Sequence, residues 1–411
     1  MNLIRKLIPV LLIFFCNITS AQNIEIKSLK AYAGNDQTNI PLITSSDQDY
    51  RFITIEFDAA SEFEPNLNIV FRFCDKNWKP TDNIFLVNTG RNTAFNLDLS
   101  LLPTPIEGAS YHYKNTFPNE DEYVSFPFSG KWRFYITESY DTSIVYASGK
   151  FIVVNDSMDI SASLKRETIE GPYAPIDLSK VFNISVNFNL PDGFFPSNVQ
   201  HVEIFENHKL DYPYILRKNE NSNNRAFYWD GGNRFRFFTK EIKPGNEYRQ
   251  VDLRNINVYT GSIVSAHLDG VETARRYFSD KKDLNGGSII VNYNNDYADY
   301  MQVNFKLRPS ETIWKRLFIV GAFNDWKVQP EYEMLADNGL FMGTFTMKRG
   351  IYDYQYVTAD VEYGNIKNID WYAIEGNSWD TSNVYYILLY YTDTKFNGYD
   401  RIIGYQKIVS E

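Results

Sequence analysis

Alternating apolar and polar positions recur along nearly the whole chain. The runs Phe52-Ile53-Thr54-Ile55-Glu56-Phe57, Gly130-Lys131-Trp132-Arg133-Phe134-Tyr135-Ile136 and Phe182-Asn183-Ile184-Ser185-Val186-Asn187-Phe188 put large side chains on every second residue. Residues 234–238, 301–307 and 352–356 repeat the pattern. Successive side chains of a strand point to opposite faces, so this period predicts half-buried β-strands. Turn residues separate the runs: Pro191-Asp192-Gly193, Asp230-Gly231-Gly232-Asn233, Asn285-Gly286-Gly287 and Asp337-Asn338-Gly339. No long segment carries the 3.6-residue period of an amphipathic helix. Polar breaks at Asn155-Asp156-Ser157 and Asp280-Lys281-Lys282-Asp283 cut the chain into pieces the size of one sandwich. The expected fold is all-β: three tandem immunoglobulin- or early-set-like sandwiches at 22–156, 157–285 and 286–411, following a signal peptide.

That signal is residues 1–21. Arg5 and Lys6 form a positive start, 7–15 an apolar core too short to cross a bilayer comfortably, and Thr19-Ser20-Ala21 a small-residue cleavage site. Cleavage is expected after Ala21, leaving a mature chain with no transmembrane segment. Cys16 opens a lipoprotein reading, against which the bulky Phe15 stands immediately before it.

Composition narrows the function. Aromatics reach 16%, an excess that suits cross-strand packing in sheets. The chain has 41 basic and 51 acidic residues, a net charge of −10, the wrong sign for a nucleic-acid binder. With 2 Cys and 4 His it has neither a disulfide framework nor a Cys-rich zinc site. Cys74 lies in a strand-like run and reads as a small core residue. His112, His201, His208 and His267 are scattered, with no H-E-x-x-H. No G-x-S-x-G, phosphate-binding loop or calcium-loop spacing occurs. No catalytic, metal-binding or cofactor-binding residue is assigned, and no cofactor is expected. A facing carboxylate pair is a three-dimensional feature and stays open.

The last third carries two resemblances. The order Gly321-Ala322-Phe323-Asn324-Asp325-Trp326, then a strand, then Gly350-Ile351-Tyr352-Asp353-Tyr354, resembles the early-set modules attached to starch and glycogen enzymes. In that family the turn Trp stacks on a sugar ring. The resemblance implies Trp326, Trp371 and Asn383 as candidate glycan contacts, although Gln355 stands where glycogen-type members carry Lys. The same residues also suit a sandwich corner held by Phe323 and Trp326.

The second resemblance is longer. Glu375-Gly376 with Thr381-Ser382-Asn383-Val384-Tyr385, the closing Tyr399-Asp400-Arg401-Ile402-Ile403-Gly404, and the Gly321–Trp326 turn resemble the plug protein family of the type 9 secretion system. Cys74-Asp75-Lys76-Asn77-Trp78, Tyr111-His112-Tyr113 with Phe117-Pro118-Asn119, and Ser129-Gly130-Lys131-Trp132 resemble its first-domain motifs more loosely. The resemblance implies a non-enzymatic periplasmic protein associated with the outer membrane. Its partner would be the outer-membrane translocon barrel, whose periplasmic mouth it closes when no cargo is engaged. The alternative is an exported glycan-binding module.

Overall fold

A computed structural model describes residues 23–410 except 120–122, 170–178, 219, 221, 223, 269, 276 and 277. The expected signal peptide and its cleavage after Ala21 lie outside the described residues. Among those described, regular structure is β-strand with a few short 3-10 turns, so the expected all-β fold is what forms.

The first body is a two-sheet sandwich. One sheet runs Glu25–Ala33, Ile53–Ala60, Tyr111–Phe117, Ser100–Leu101. The facing sheet runs Leu42–Thr44, Val145–Val154, Gly130–Glu138, Leu67–Cys74, Thr93–Ala94. The alternation explains the core: Ile53, Ile55 and Phe57 meet Phe71, Trp132, Phe134 and Phe151 between the sheets. Phe71 sits centrally, its ring 4.9 Å from Phe117 and edge-on to Phe151 at 6.0 Å, a tilted geometry that aromatic quadrupoles favour.

The second body departs from the expected boundaries. One sheet is local: Ser161–Thr168, Lys180–Asn189, Arg234–Ile242, Arg225–Trp229. The other joins Tyr214–Arg217 and Val199–Glu206 to the chain's last two strands, Val384–Asp393 and Tyr399–Val409. Val202 pairs with Leu389 and Ile204 with Ile387. The expected cut at 285/286 therefore does not separate the sheets. The third body lies between Ile242 and Val384 and is inserted into the second. Its strands form one sheet that folds over a core of Val303, Phe305, Leu317, Ile319, Tyr354 and Tyr356. The strand Glu333–Asp337 connects the two layers, pairing with Arg316–Gly321 on one side and Leu340–Lys348 on the other.

The first strand of the C-terminal hairpin, Val384–Asp393, is buried on both faces. Tyr385, Ile387, Leu389 and Tyr391 point into the second core. Val384, Tyr386, Leu388 and Tyr390 pack with Ala33, Leu42, Trp78, Ile152 and Val154 of the first sandwich. This is why residues 384–391 are apolar or aromatic without alternation: both faces of the strand leave water. At about 1.5–3 kcal/mol per fully buried large side chain, this strand is a major contributor to the association of the two bodies.

Candidate functional site

The charged residues buried between the bodies are the most distinctive chemistry in the chain. Each junction holds a lysine.

Between the first and second bodies, Lys131 extends from Gly130–Glu138 to Glu203, with Nζ 2.8 Å from the carboxylate and both side chains 2% exposed. Nζ also donates to the Lys76 carbonyl at 2.6 Å. The rings of Trp78, Phe205 and Tyr390 lie 4.9, 5.5 and 5.6 Å from it. An ammonium taken from water is tolerated only when charge, acceptors and ring faces replace its hydration, as they do here. Burial works to raise the Glu203 pKa. The His201 hydrogen bond and the Lys131 charge outweigh it and hold the carboxyl below the usual range.

Between the third and first bodies, Lys348 reaches Asp58, and both are buried. Asp58 also accepts from Tyr300 Oη at 2.8 Å and lies 2.7 Å from His112 Nδ1. The His112 ring stacks on Tyr293 at 4.0 Å. Leu102, Ile106 and Ala109 pack on Ala298 beside this cluster.

Between the second and third bodies, Lys209 pairs with Glu206 at 2.7 Å. Its ammonium lies 4.7 Å from the Trp371 ring, 5.3 Å from Tyr248 and 5.9 Å from Trp326.

This third cluster accounts for the residues expected to touch sugar, and it corrects that expectation. Trp326 is 1% exposed, with Nε1 donating to the Gly286 carbonyl at 2.8 Å. Its turn is tightly built. Gly321 N–H donates to Asn324 Oδ1 at 3.0 Å, Trp326 N–H donates to the Gly321 carbonyl, and a Cβ at Gly321 would lie 2.5 Å from the Asp353 carbonyl oxygen. The turn thus aims the indole inward. Asn383 is also buried: Nδ2 donates to the Pro244 carbonyl at 2.7 Å and Oδ1 accepts from Asn207 at 2.8 Å. Trp371 is half-buried against Tyr212 and Lys209. Stacking on a pyranose needs an open ring face, which Trp326 does not have.

The plug-like motifs meet one another. The backbone N–H of Lys76, within the Cys74-to-Trp78 motif, donates to Asp400 at 3.1 Å, and Asp400 also accepts from Gln200 at 2.7 Å. Arg401 bridges Asp393 at 3.0 Å and Ser157 at 2.7 Å. These motif residues knit the first body to the second.

The carboxylates deep in the third body are engaged by neighbours. Arg249 holds Glu375 at 2.9 Å and Glu272 at 2.8 Å. Asp353 is buried, and Asp283 is half-buried within reach of its charge. Burial raises both pKa values, and the Asp353 charge raises that of Asp283 further. Asp353 accepts from Gln250 and the Gly286 N–H, each at 3.0 Å. Among the described residues no group of three or more His, Cys, Asp or Glu is placed to hold a metal. Burial pushes the Cys74 thiol up to about 12, which keeps it protonated and inert.

Sequence reading missed Lys131, Glu203, Lys348, Asp58 and Lys209. For Asp58 and Glu203 the available signal was a charged residue at a strand position between apolar neighbours, as in Val202-Glu203-Ile204.

The fold and this network define an all-β protein of interlocked sandwiches whose junctions bury charged side chains. Residues 26–155 match the family model described as type 9 secretion system plug protein 1st domain, so this part of the chain carries the first domain of that family. The family points to a role associated with that secretion system, to a non-catalytic structural protein and to an exported, envelope-associated one. A crystal structure of a hypothetical protein from Parabacteroides merdae ATCC 43184 is similar over 94% of this chain and 98% of its own, at 19% identity and a TM-score of 0.73, a likeness of fold. A second structure, titled "Structural insight into host cell surface retention of a 1.5-MDa bacterial ice-binding adhesin", aligns at 9% identity over 94% of this chain and 96% of its own, and its TM-score of 0.14 carries no argument. No curated protein matches the chain. Among the described residues no helix is long and apolar enough to cross a membrane.

Proposed function

We propose that the chain is a periplasmic plug that binds the periplasmic mouth of the type 9 translocon barrel and closes its pore when no cargo is engaged. The observation that carries this reading is the plug-family match over residues 26–155. The interlocked architecture suits it. A stopper for a wide water-filled pore must resist deformation, and buried charge reinforces each junction here: ion pairs cross two of them, and Lys209 meets the Trp371 and Tyr248 rings at the third. Such a body presents a broad preformed surface, so little ordering cost opposes binding.

The test is outer-membrane permeability in cells lacking the protein. A large polar dye normally excluded should enter, and re-expression of the mature chain should restore exclusion. Unchanged permeability in cells that retain an intact barrel would overturn the reading.

A further inference from the structure

We propose that the loop end of the first sandwich is a preformed docking surface for a basic, apolar-centred patch on the periplasmic rim of the barrel. This rests on the plug reading above and adds the contact surface and its chemistry. Three loops meet at this end: 61–66, 95–98 and 139–144. Each presents one large exposed aromatic: Phe63 at 66%, Phe95 at 66% and Tyr140 at 87%.

The loops are fastened to one another beneath these rings. Asn68, 1% exposed, accepts from the Asn96 N–H at 2.9 Å and donates to the Ser139 carbonyl at 3.3 Å. Ser139 Oγ reaches Asn96 Oδ1 at 2.9 Å, and the Ser139 N–H donates to the Asn66 carbonyl at 3.0 Å. The residues adjoining Phe95 and Tyr140 are therefore pinned to the stem of the Phe63 loop. Aromatic anchors held ready on fixed loops gain contact area at low entropic cost.

Charge selects the occupant. Glu62, Glu64, Asp98 and Asp141 are exposed among the rings, and the three loops contain no Lys or Arg. Asp141 is kept ionised by the Ser143 hydroxyl and N–H, each donating to it. Such a surface attracts a cationic protein patch. It is repelled by anionic lipid headgroups, which recruit basic segments.

The experiment is co-purification of the barrel from solubilised outer membranes with the tagged mature chain. It compares wild type with the variant Phe63→Ser, Phe95→Ser, Tyr140→Ser and with the reversal Glu62→Lys, Glu64→Lys, Asp98→Lys, Asp141→Lys. Wild type should recover the barrel, and each variant about ten-fold less or lower still, at an unchanged melting temperature. A photo-crosslinking amino acid at Tyr140, in an otherwise native chain, should form an adduct with the barrel. Variants that are folded and recover the barrel like wild type would overturn the docking surface and leave the plug reading standing. An adduct with lipid alone, or none, would do the same. Wild type that recovers no barrel would overturn the plug reading and this inference with it.

Discussion

Lys348 and Asp58, 290 residues apart in sequence, form an ion pair whose side chains are 2% and 1% exposed. It ties the third body to the first. Removing one partner of such a pair strands the other charge without water. Lys348→Met is therefore expected to lower stability by about 3–5 kcal/mol. A Lys348→Met, Asp58→Leu double variant should recover part of that loss, because the stranded charge is gone. Urea unfolding midpoints of the three chains decide it: equal losses in the single and double variants would contradict the pair's assigned role.

The inserted topology predicts the fate of a shortened chain. A chain ending at residue 383 keeps every strand of the third body and loses Val384–Asp393 and Tyr399–Val409. Val199–Glu206 then has no neighbour on one edge, and Val202, Ile204 and Phe205 lose their cover. The second body should become protease-sensitive while the third remains resistant. Limited proteolysis with mass spectrometry would show it. Uniform resistance would mean the second body closes without its last two strands.

Trp326→Ala is expected to act on stability and leave polysaccharide retention unchanged. The indole is enclosed by Phe318, Val320, Val357 and Tyr248 and caps Lys209. Truncating a buried Trp typically costs about 3–5 kcal/mol. A calorimetric melt and a polysaccharide column separate the outcomes. Sugar retention by wild type that vanishes in a fully stable variant would revive the glycan reading.

Stability should fall with pH in two stages. His208 Nε2 lies 2.9 Å from the Thr38 carbonyl, across the junction of the second and first bodies. Burial depresses its pKa from 6.5 to about 4, with the Lys30 charge adding to this and Thr38 and Asp325 opposing it. The folded chain keeps the ring neutral where the unfolded chain would protonate it. That contribution is fully present above about pH 6.5 and lost as pH falls towards 4. Asp58 and Glu203 form the second stage. Burial alone would raise them, but hydrogen bonds from His112 and His201 and the charges of Lys348 and Lys131 prevail and lower them. Their contribution is present above the usual carboxylate range of about 4 and lost below it. In melts from pH 7.5 down to about 2, His208→Gln should flatten the first stage and preserve the second. Parallel curves for the two chains would remove His208 from the account.

Local strand content was legible because its signal is local. The alternation at 52–57 and 130–136 reports inward and outward faces, and the strands Ile53–Ala60 and Gly130–Glu138 follow it. Pairing partners were not legible: nothing in Val199-Gln200-His201-Val202-Glu203-Ile204 names residues 384–391 as its neighbour, since a strand edge accepts any compatible backbone. The unbroken apolar run at 384–391 did hint at burial on both faces, but not at which bodies supply the cover. At Trp326 the turn motif was recognisable. The direction of the indole was not, because it depends on Gly286 and Lys209, brought there from elsewhere in the chain.

The inserted third body also sets an order of assembly. A chain delivered from its N-terminus exposes Ile204 roughly 180 residues before its partner Ile387 follows. The first body can mature early, and the third can close on its own strands. The second must wait, half-built, with Val202 and Ile204 open to solvent until the last two strands have followed. Its completion is therefore a late latch: the hairpin that finishes the second core is the same one that clasps the first, so an interrupted chain cannot present the finished body to any partner.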